Sequence, residues 1–368
     1  MRILICNWKD LRHPRAGGAE VYTHEVARRW VATGHHVTLF CAAVDGASES
    51  EEVDGVHIVR RGGRFGVYRA ARDYYRQSGR GRFDLVVDEV NTRPFGCAHW
   101  VDDAPVVALI HQVCREIWHY EMPLPVAVLG RYVLEPWWLR RYRDVPVLTV
   151  SASSRDSLRQ YGLRKVTIVP EGINRRTRPP LPRESDPTIV FLGRLARNKG
   201  PLDALAAFDL LRQRMPEARM WFVGDGPLRH EIASRARAGV TLYGRVDQAL
   251  RDELLARAHV LVVTSVREGW GLVVDEAANM GTPAVGYDRP GLRDSLPAAG
   301  GLLVEANPAA LAKALARRLP EWTGYPAVEG WAGGAVDWDT VASAVLTQAM
   351  IGCGMQPRDE ELPWKPAR

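Results

Sequence analysis

The sequence lacks the features of a membrane-spanning, secreted or disulfide-built protein. No apolar run approaches the roughly 20 residues that a membrane span needs. The amino terminus, MRILICNW, passes directly into an apolar strand instead of a signal peptide. The five cysteines are scattered and odd in number, so they show neither metal-binding spacing nor a disulfide framework. We therefore expect a reduced, cytoplasmic protein.

Lysine is also scarce, since it supplies only five of the 49 basic residues. The net charge of +6 is concentrated in the first half of the chain, without the basic, aromatic-interleaved patch typical of nucleic-acid binding. That charge permits an anionic ligand or a loose association with acidic lipid headgroups. Lys199, which stands in a glycine-flanked loop, is therefore a candidate anion ligand.

The length of the chain predicts two domains, because one domain averages roughly 150 residues and this chain has 368. The hydrophobic pattern predicts that both are α/β domains. Apolar strands alternate with helical segments, which predicts parallel sheets covered on both faces. The first domain's strands are predicted in RILICNW, HVTLFCA, VHIVRRG, FDLVVDEV, PVVALIHQ and PVLTVSA. The second domain's strands are predicted in TIVFLGR, RMWFVGDG, VTLYGRV, VLVVTSV and PAVGY.

We expect two doubly wound, Rossmann-like domains whose strand carboxyl ends face one another across a deep cleft. The predicted segments are a first domain (1–174), a linker rich in proline and charge (175–187), a second domain (188–335), a terminal helix (336–352) and a tail (353–368). The sequence leaves open which domain the terminal helix joins, including a return to the first.

The segment FLGRLARNKG, residues 191–200, follows the first strand of the second domain. Gly193 permits a tight turn, Arg194 offers a planar fork of donors, and Lys199 offers an ammonium group where a helix begins. Together they predict a cradle for a diphosphate. The alternative is a solvated arginine and lysine on an ordinary loop.

The segment AGGAE, residues 16–20, follows the first strand of the first domain. Gly17 and Gly18 allow a ligand to approach the backbone, and the helix that follows attracts an anion. No G-x-G-x-x-G follows this strand, so the pattern is not a dinucleotide-binding fingerprint. His111, at the end of PVVALIHQ, is either a structural histidine or a support for a transferring sugar or departing phosphate.

The segment VREGWGLVVDEAANMGTPAVG, residues 266–286, carries Glu268 in a loop and Glu276 in the helix that follows. A carboxylate accepts two hydrogen bonds in a plane, which suits vicinal sugar hydroxyls. The N–H groups near Gly271 and Leu272 lie between the two acids, where a phosphate fits. The alternative is an exposed loop acid and a glutamate that complements the helix dipole.

Three of these elements, AGGAE, GRLARNKG and EGWGLVVDE, occur in one order and spacing. In this combination the chain resembles the retaining GT4 glycosyltransferases, the glycosyl transferases group 1, which have the GT-B fold. The resemblance implies a nucleotide-sugar donor, no metal and no other cofactor. It also implies retention by front-side attack, in which an oxygen of the leaving phosphate takes the acceptor proton.

The resemblance also implies roles for individual residues. Arg194 and Lys199 would neutralise the diphosphate, Glu276 would bind the ribose, and Glu268 would bind the transferred sugar. With His111 near the reacting carbon, the implied catalytic residues are His111, Arg194, Lys199 and Glu268. The other implied donor contacts are Gly17, Gly18, Gly193, Arg245, Val246, Gly269, Trp270, Gly271 and Leu272. The family usually has Phe at the position of Trp270, which leaves the donor sugar open.

The acceptor is expected on the first domain, where the candidate contacts are Glu20, Glu89, Asn91 and Arg115. A stretch rich in tryptophan and arginine, residues 111–143, is compatible with an acceptor pocket, with contact to a membrane surface or with ordinary packing. The only D-x-D, residues 337–339, precedes the terminal helix and therefore predicts a helix cap and not a metal site.

The resemblance implies transfer of a hexosyl group from a nucleotide-diphosphate sugar, a UDP-sugar first and a GDP-sugar next by family frequency, to a small-molecule or lipid-linked acceptor. The expected context is natural-product or cell-envelope glycoside biosynthesis. One alternative is a nucleotide-sugar 2-epimerase of the same architecture. Another is a non-catalytic sugar-binding protein, which predicts a secretion signal and no diphosphate-binding pair. The sequence specifies neither the acceptor nor the oligomeric state.

Overall fold

The structure, a computed structural model, describes residues 1–174, 181–323 and 336–357. The chain forms two compact units. Unit 1 comprises Met1–Arg115, Val128–Gly172 and the segment from Val336 onward, and unit 2 comprises Glu116–Ala127 and Ile173–Ala335. Each unit is built on its own parallel sheet. The predicted α/β fold with two doubly wound domains is thereby confirmed.

The strands, in chain order, are β1 (Arg2–Cys6), β2 (His36–Cys41), β3 (Ser50–Val53), β4 (Val56–Arg60), β5 (Leu85–Glu89), β6 (Val106–Leu109), β7 (Val147–Thr149), β8 (Val166–Ile168), β9 (Gly172–Ile173), β10 (Thr188–Leu192), β11 (Arg219–Val223), β12 (Val240–Gly244), β13 (Val260–Val263), β14 (Ala284–Tyr287), β15 (Leu302–Val304) and β16 (Val336–Asp337).

The α-helices are α1 (Gly18–Ala32), α2 (Val67–Tyr74), α3 (Ile117–Glu121), α4 (Leu124–Leu129), α5 (Glu135–Arg140), α6 (Ala152–Arg159), α7 (Pro201–Arg212), α8 (Arg229–Arg235), α9 (Gln248–Arg257), α10 (Leu272–Asn279), α11 (Leu292–Ala298), α12 (Pro308–Thr323) and α13 (Trp338–Gly352). Shorter π and 3₁₀ turns lie at Tyr75–Gly79, Cys97–His99, Gly130–Leu134 and Arg197–Lys199.

The sheet of unit 1 has eight strands in the order β3-β4-β2-β1-β5-β6-β7-β8. Its strands pair in parallel, except that β3 runs antiparallel to β4. Both faces are covered, so β1 is apolar and buried after Arg2, and β5 is buried throughout although it ends in Asp88 and Glu89. The strand order reverses between β1 and β5, and a ligand of such a sheet binds beside that reversal.

The sheet of unit 2 has six parallel strands in the order β12-β11-β10-β13-β14-β15. Its order reverses between β10 and β13. Two apolar clusters fill the two sides of the sheet, one around Phe208 and Phe222 and the other around Leu254 and Leu261. The carboxyl ends of β10 and β13 are therefore the expected ligand-binding edge of this unit.

The terminal helix α13 packs on α1 within unit 1. The indole N–H of Trp30 donates a hydrogen bond of 2.8 Å to the carbonyl oxygen of Ala342. Trp338 is buried, and its ring meets the ring of Tyr22 edge-on. As predicted for the D-x-D segment, Asp337 caps this helix, since its carboxylate accepts the backbone N–H of Thr340 at 2.8 Å.

Glu116–Ala127, which lies inside the predicted first domain, groups with unit 2. The chain from Val336 groups with unit 1, which is the return that the sequence left open. Within the predicted linker, residues 175–180 lie outside the described residues. Residues 181–187 pack on unit 2, where the Arg183 guanidinium donates to the Gly281 carbonyl oxygen at 2.7 Å. The linker boundary therefore stays a prediction.

Candidate functional site

The loops after β10 and β13 lie side by side at the strand-order reversal of unit 2. Val266 donates its backbone N–H to the Asn198 carbonyl oxygen at 3.0 Å. The Thr264 hydroxyl lies 3.0 Å from the carbonyl oxygen of Lys199 and 2.8 Å from that of Gly200. The loop that carries Lys199 is therefore held against the loop that leads to Glu268.

The close approach of these two loops requires a glycine at position 200. Its φ is +67°, a left-handed conformation that glycine adopts without penalty. A Cβ at this position would lie 2.4 Å from the carbonyl oxygen of Thr264. Gly193, at the start of the same loop, has a φ of +146°. Gly193, which was predicted to permit a tight turn, and Gly200 thus both allow the tight path of this loop.

Lys199 and Glu268 form an ion pair in this structure. The Lys199 Nζ lies 2.5 Å from the Glu268 Oε1, with 31% and 12% of their side-chain surfaces exposed. The backbone of Glu268 is fixed as well, since its N–H donates to the Pro290 carbonyl oxygen at 3.1 Å. Arg194 is exposed in the same loop as Lys199. An anion and a hydroxyl-bearing group can therefore be recognised at adjacent positions.

The turn 269–271 leads into α10. Gly271 takes a φ of +104° at the N-cap, and no side chain of the described residues caps the helix there. The first backbone N–H groups of α10, from Leu272 onward, thus point toward the turn and favour an anion. The Trp270 indole N–H donates to the Asp275 Oδ2 at 2.5 Å. A phenylalanine at position 270 has no such donor, so this contact is specific to tryptophan.

Glu276, the predicted ribose ligand, faces a cation that sequence reasoning missed. The Arg251 Nη1 lies 2.9 Å from the Glu276 Oε1, and about a quarter of each side chain is exposed (26% for both). Arg251 belongs to α9 and Glu276 to α10, helices that pack on one another. The contact joins residues 25 positions apart, so no local motif signals it.

Arg245 and Val246 follow β12, which β11 separates from β10 in the sheet. Gly244 ends β12 with a φ of +73°. Arg245 is exposed, whereas Val246 is half-buried against the apolar cluster around Leu254. The two residues therefore lie farther along the carboxyl edge of the sheet than Lys199 and Glu268.

The segment Glu116–Ala127 contributes a further contact to unit 2. The Arg267 Nε donates to the Glu116 Oε2 at 2.9 Å, and the Arg267 side chain is only 4% exposed. The helix α3 contacts the 3₁₀ turn that contains Lys199. Of the aromatic residues noted in this stretch, Trp118 is buried. The site residues of unit 2 are thus supported on one side by a segment from the first half of the sequence.

In unit 1 the Gly-Gly loop begins α1 with Gly17 as its N-cap. The carboxylate of Glu20 accepts the backbone N–H of Gly17 at 2.6 Å, and the Lys9 Nζ lies 2.9 Å from its other oxygen. Glu20, predicted as an acceptor contact, is therefore buried and engaged as a helix-capping residue. Gly18 is the first residue of α1, as the anion-binding prediction requires.

His111 lies between two buried carboxylates. Its Nδ1 is 3.2 Å from the Glu171 Oε1, and its Nε2 is 3.5 Å from the Glu89 Oε1. Burial alone would lower the pKa of His111, but hydrogen bonds to Glu171 and Glu89 outweigh it and raise the pKa to about 10. The two carboxylates therefore favour the positively charged form of the imidazole. Sequence reasoning named His111 and Glu89 but not Glu171.

Asn91 and Arg115, the other acceptor candidates, differ in position. The Asn91 amide donates to the Asn7 Oδ1 at 2.7 Å, which joins the loops after β5 and β1 at the strand-order reversal of unit 1. Arg115 has a φ of +36°, and its guanidinium lies 5.5 Å from the centroid of the Tyr161 ring. Asn91 is therefore near the predicted ligand-binding edge, while Arg115 is committed to an aromatic contact.

The predicted site residues thus fall into two groups, one in each unit. The group in unit 2 consists of Gly193, Arg194, Lys199, Glu268, Gly269, Trp270, Gly271, Leu272 and Glu276, with Arg245 and Val246 along the same edge. The group in unit 1 consists of Gly17, Gly18, Glu20, Glu89, Asn91 and His111. Among the described residues there is no cluster of three or more His, Cys, Asp or Glu residues suited to a metal ion. The residue roles stay predictions.

Two family models match most of the chain. The model described as Glycosyltransferase Family 4 matches residues 16–177, and the model described as Glycosyl transferases group 1 matches residues 186–320. Among curated proteins, a Mycobacterium tuberculosis glycogen synthase is 26% identical over 343 residues, which cover 80% of each chain. The sequence match therefore includes both units.

Solved structures share the fold over nearly the whole chain. Sucrose-phosphate synthase from Thermosynechococcus elongatus superposes with a TM-score of 0.75 at 20% identity, over 94% of this chain and 97% of its own. Anabaena HepE, solved in complex with UDP and glucose, superposes with a TM-score of 0.66 at 18% identity, over 94% and 98% of the two chains. With both family models in place, the chain belongs to the group 1 glycosyltransferases of the GT4 type and is an enzyme with the GT-B fold.

Proposed function

We propose that this enzyme transfers a hexosyl group from a nucleotide-diphosphate sugar to a small-molecule or lipid-linked acceptor and retains the anomeric configuration. One observation carries the proposal: Lys199, Glu268 and the uncapped start of α10 lie together at the carboxyl edge of unit 2. These groups match a diphosphate that is followed by a hydroxyl-rich sugar. The presence of UDP and glucose in Anabaena HepE supports UDP as the nucleotide, with GDP next.

The donor is expected to replace contacts that the side chains make with one another. We assign the diphosphate to Arg194, Lys199 and the first N–H groups of α10, and the sugar hydroxyls to Glu268. The ribose hydroxyls are assigned to Glu276, whose Oε1 also contacts Arg251. The arrangement is a chain of anion and hydroxyl contacts along one edge of the sheet.

The reaction joins the acceptor hydroxyl oxygen to the anomeric carbon on the face from which the diphosphate departs. The bond between the anomeric carbon and the phosphate oxygen breaks, and its electron pair leaves with the nucleoside diphosphate. The acceptor proton passes to an oxygen of that leaving phosphate. Lys199 and Arg194 stabilise the charge that develops there, so we propose that no metal is required.

We assign acceptor binding to unit 1, where Asn91 is half-buried near the strand-order reversal and His111 contacts Glu89, two residues before Asn91. The acceptor context we favour is natural-product or cell-envelope glycoside biosynthesis. We propose a cytoplasmic location, with which the cysteines agree because Cys6, Cys41, Cys97, Cys114 and Cys353 form no disulfide in the part of the chain that the structure describes.

The Lys199→Ala variant tests the donor site. Loss of a charge-assisted contact costs about 1.5–3 kcal/mol, so the dissociation constant of the preferred nucleotide sugar should rise about 10- to 100-fold. Isothermal titration calorimetry with a panel of UDP-, GDP- and dTDP-sugars measures this change and also identifies the base. The matched control is Arg197→Ala, which removes one positive charge from the same 3₁₀ turn at an exposed position.

An affinity that is equal in wild type and Lys199→Ala would refute the donor-site assignment. Incubation with UDP-N-acetylglucosamine alone separates transfer from epimerisation. A transferase should hydrolyse the donor slowly in the absence of acceptor. Accumulation of the 2-epimer would instead identify an epimerase and overturn the proposed function.

A further inference from the structure

Two exposed arginines at the carboxyl edge of the unit 1 sheet have no acidic partner among the described residues. Arg64 lies in the loop after β4 and Arg93 in the loop after β5. The strands from β4 to β5 run parallel, so both loops leave the sheet at the same edge. Residues 61–72 and 90–101 contain no aspartate or glutamate. Single exposed arginines are ordinary, but two unpaired ones at a ligand-binding edge indicate an anionic ligand.

The side chain of Tyr68 connects the two arginines. Tyr68 lies in the first turn of α2, and the guanidinium carbon of Arg93 lies 4.3 Å from the centroid of the Tyr68 ring. Burial raises the pKa of Tyr68 to about 12, while the charges of Arg93 and Arg64 act in the opposite direction. Both guanidinium groups therefore lie near the Tyr68 hydroxyl, which stays protonated at neutral pH. Within the described part of the chain, that hydroxyl has no hydrogen-bond partner.

The carboxylate of Asp88, which also raises the pKa of Tyr68, does not neutralise the two arginines. Asp88 is fully buried, and its oxygens accept the backbone N–H groups of Phe95 at 3.1 Å and of Cys97 at 2.9 Å. Its charge is therefore satisfied inside the unit, whereas the arginines lie at the surface. Their positive charge is available to a ligand.

The two loops hold these groups in defined positions. Gly62 has a φ of +73°, and a Cβ there would lie 2.8 Å from the Gly66 carbonyl carbon, so the loop after β4 closes tightly on itself. The Tyr68 ring packs on the Phe95 ring with centroids 4.9 Å apart, which ties α2 to the loop after β5. Groups that are ordered before a ligand arrives lose less entropy when they bind it.

Two guanidinium groups and a phenol hydroxyl match a phosphate monoester. Such a group carries close to two negative charges at neutral pH, and its three terminal oxygens accept hydrogen bonds. A guanidinium group binds phosphate oxygens through two parallel N–H groups, and stacking on an aromatic ring leaves that edge free. A carboxylate, with one charge and two oxygens, is already satisfied by one arginine. The combination therefore favours a phosphate over a carboxylate.

We propose that Arg64, Arg93 and the Tyr68 hydroxyl bind a phosphate monoester group of the acceptor. The loop after β5 also carries Asn91, which is assigned to the acceptor, two positions before Arg93. This inference rests on the proposed function, to which it adds the chemical class of the acceptor. The phosphate belongs either to a soluble acceptor or to a lipid headgroup, and the same three side chains recognise it in both.

Calorimetry on the full chain at physiological ionic strength tests the subsite with four probes. They are glycerol 3-phosphate, glycerol, glycerate and vesicles that contain phosphatidic acid. Wild type should bind glycerol 3-phosphate at least about tenfold more tightly than glycerol or glycerate, because only the phosphate engages both arginines. Arg64→Gln and Arg93→Gln should each raise the dissociation constant of glycerol 3-phosphate at least about tenfold, and Tyr68→Phe should raise it about fivefold.

The matched control is Arg69→Gln. Arg69 follows Tyr68 in α2 and is exposed, but its Nε lies 3.5 Å from the Asp73 Oδ2. This variant removes the same charge and should bind glycerol 3-phosphate within about twofold of wild type, since salt screens exposed charges. Circular dichroism checks that all variants are folded.

Equal affinity for glycerol 3-phosphate in wild type and Arg93→Gln, or equal affinity of wild type for glycerate and glycerol 3-phosphate, would overturn the proposal. So would binding to the vesicles without binding to glycerol 3-phosphate, because a phosphate subsite recognises the group with or without acyl chains.

The Lys199→Ala variant separates this subsite from the donor site, whose cations also attract phosphate. Lys199→Ala should bind glycerol 3-phosphate as wild type does, and Arg93→Gln should bind UDP as wild type does. Binding of glycerol 3-phosphate that depends on Lys199 and not on Arg93 would refute the subsite and leave the donor site intact. Binding that depends on Arg93, in a protein without affinity for any nucleotide sugar, would instead refute the proposed function while the phosphate subsite stands.

Discussion

At the residue scale, the buried carboxylates beside His111 determine its charge. Glu171 and Glu89 contact its two ring nitrogens, and the buried Tyr22 ring meets it edge-on with centroids 4.8 Å apart. An unpaired imidazolium in this interior would be strongly disfavoured, and the two acids reverse that preference. The geometry therefore provides a fixed positive charge at the carboxyl end of β6, a role that neutral histidine would not fill.

Replacing Glu171 by glutamine should lower the pKa of His111. Removal of one close carboxylate shifts a neighbouring pKa by about 1–3 units, so the variant should titrate clearly below the wild-type value of about 10. Nitrogen-15 NMR of labelled histidine side chains measures this titration, and His111→Gln identifies the signal. A wild-type His111 that already titrates near 6.5, unchanged in Glu171→Gln, would contradict the assignment.

The same shift has a consequence for stability. The folded-state pKa of His111, about 10, lies above its ordinary value of 6.5, so the imidazolium stabilises the folded state. That contribution is complete below pH 6.5 and declines as the pH rises from 6.5 to 10. Glu171→Gln should lose stability less steeply over this interval, which urea unfolding at several pH values detects.

At the element scale, α9 and α10 position the acid assigned to the ribose. A partly exposed ion pair such as Arg251–Glu276 contributes only about 0–1 kcal/mol to folding. Its effect on binding is different in kind, because Arg251 restricts the rotamers of the carboxylate that is assigned to the ribose hydroxyls. A contact that hardly affects stability can therefore matter for affinity.

Arg251→Met should weaken UDP binding by about three- to tenfold, as expected for a lost positioning contact of about 1 kcal/mol. Affinity for 2′,3′-dideoxy-UDP, which lacks both ribose hydroxyls, should stay the same, and Arg251→Lys should restore part of the loss for UDP. Calorimetry with both nucleotides measures the difference.

The control for this prediction is Arg257→Met on the same helix. Arg257 pairs with Glu184 and Glu253 instead of Glu276. This substitution removes the same positive charge as Arg251→Met and should leave the affinities for UDP and for 2′,3′-dideoxy-UDP unchanged. An equal loss for UDP and the dideoxy nucleotide in Arg251→Met would contradict a role in ribose positioning.

Elements with strong local patterns were predictable from the sequence. The apolar runs predicted β1 and β10, and the helix expected after the Gly-Gly loop is α1. The strand β3, with the sequence SEEV, was missed because it is polar and lies at the sheet edge. The helix α11 contains Pro297, which disfavours helix in a local reading.

The residues of the candidate site also divide into those that a local sequence pattern predicts and those that it does not. Lys199 and Glu268 belong to local motifs with glycine at fixed positions, so the sequence named them. Arg251 and Glu171 were missed because each meets its partner only after folding, 25 and 60 positions away along the chain. The Trp270–Asp275 hydrogen bond also depends on how the turn enters α10.

At the scale of the whole molecule, the last helix of the chain completes the first unit. The helix α13 buries Val341, Val345 and Leu346 together with Trp338. The ring of Trp338 lies so close to the Gly172 backbone that a Cβ there would be 2.6 Å from the ring. Unit 1 therefore reaches its full core only when the chain from Val336 has been made.

Trp338→Ala should destabilise unit 1 by about 3–5 kcal/mol, the usual cost of deleting a buried tryptophan. Trp137→Ala makes the same chemical change in the same unit, but Trp137 is 53% exposed whereas Trp338 is 3% exposed. It should alter stability by less than about 0.5 kcal/mol. Hydrogen exchange measures the stability of each unit separately. This separation is needed because a protein of two units need not unfold in one transition.

In Trp338→Ala, the amides of β1 and β5 should exchange faster, while those of β10 and β13 should keep their wild-type protection, since unit 2 has a separate core. The same variant should then retain nucleotide binding in calorimetry below its unfolding temperature, because the residues assigned to the donor lie in unit 2. Faster exchange throughout both sheets would show instead that the two cores unfold as one cooperative structure, and that the terminal helix stabilises the whole enzyme.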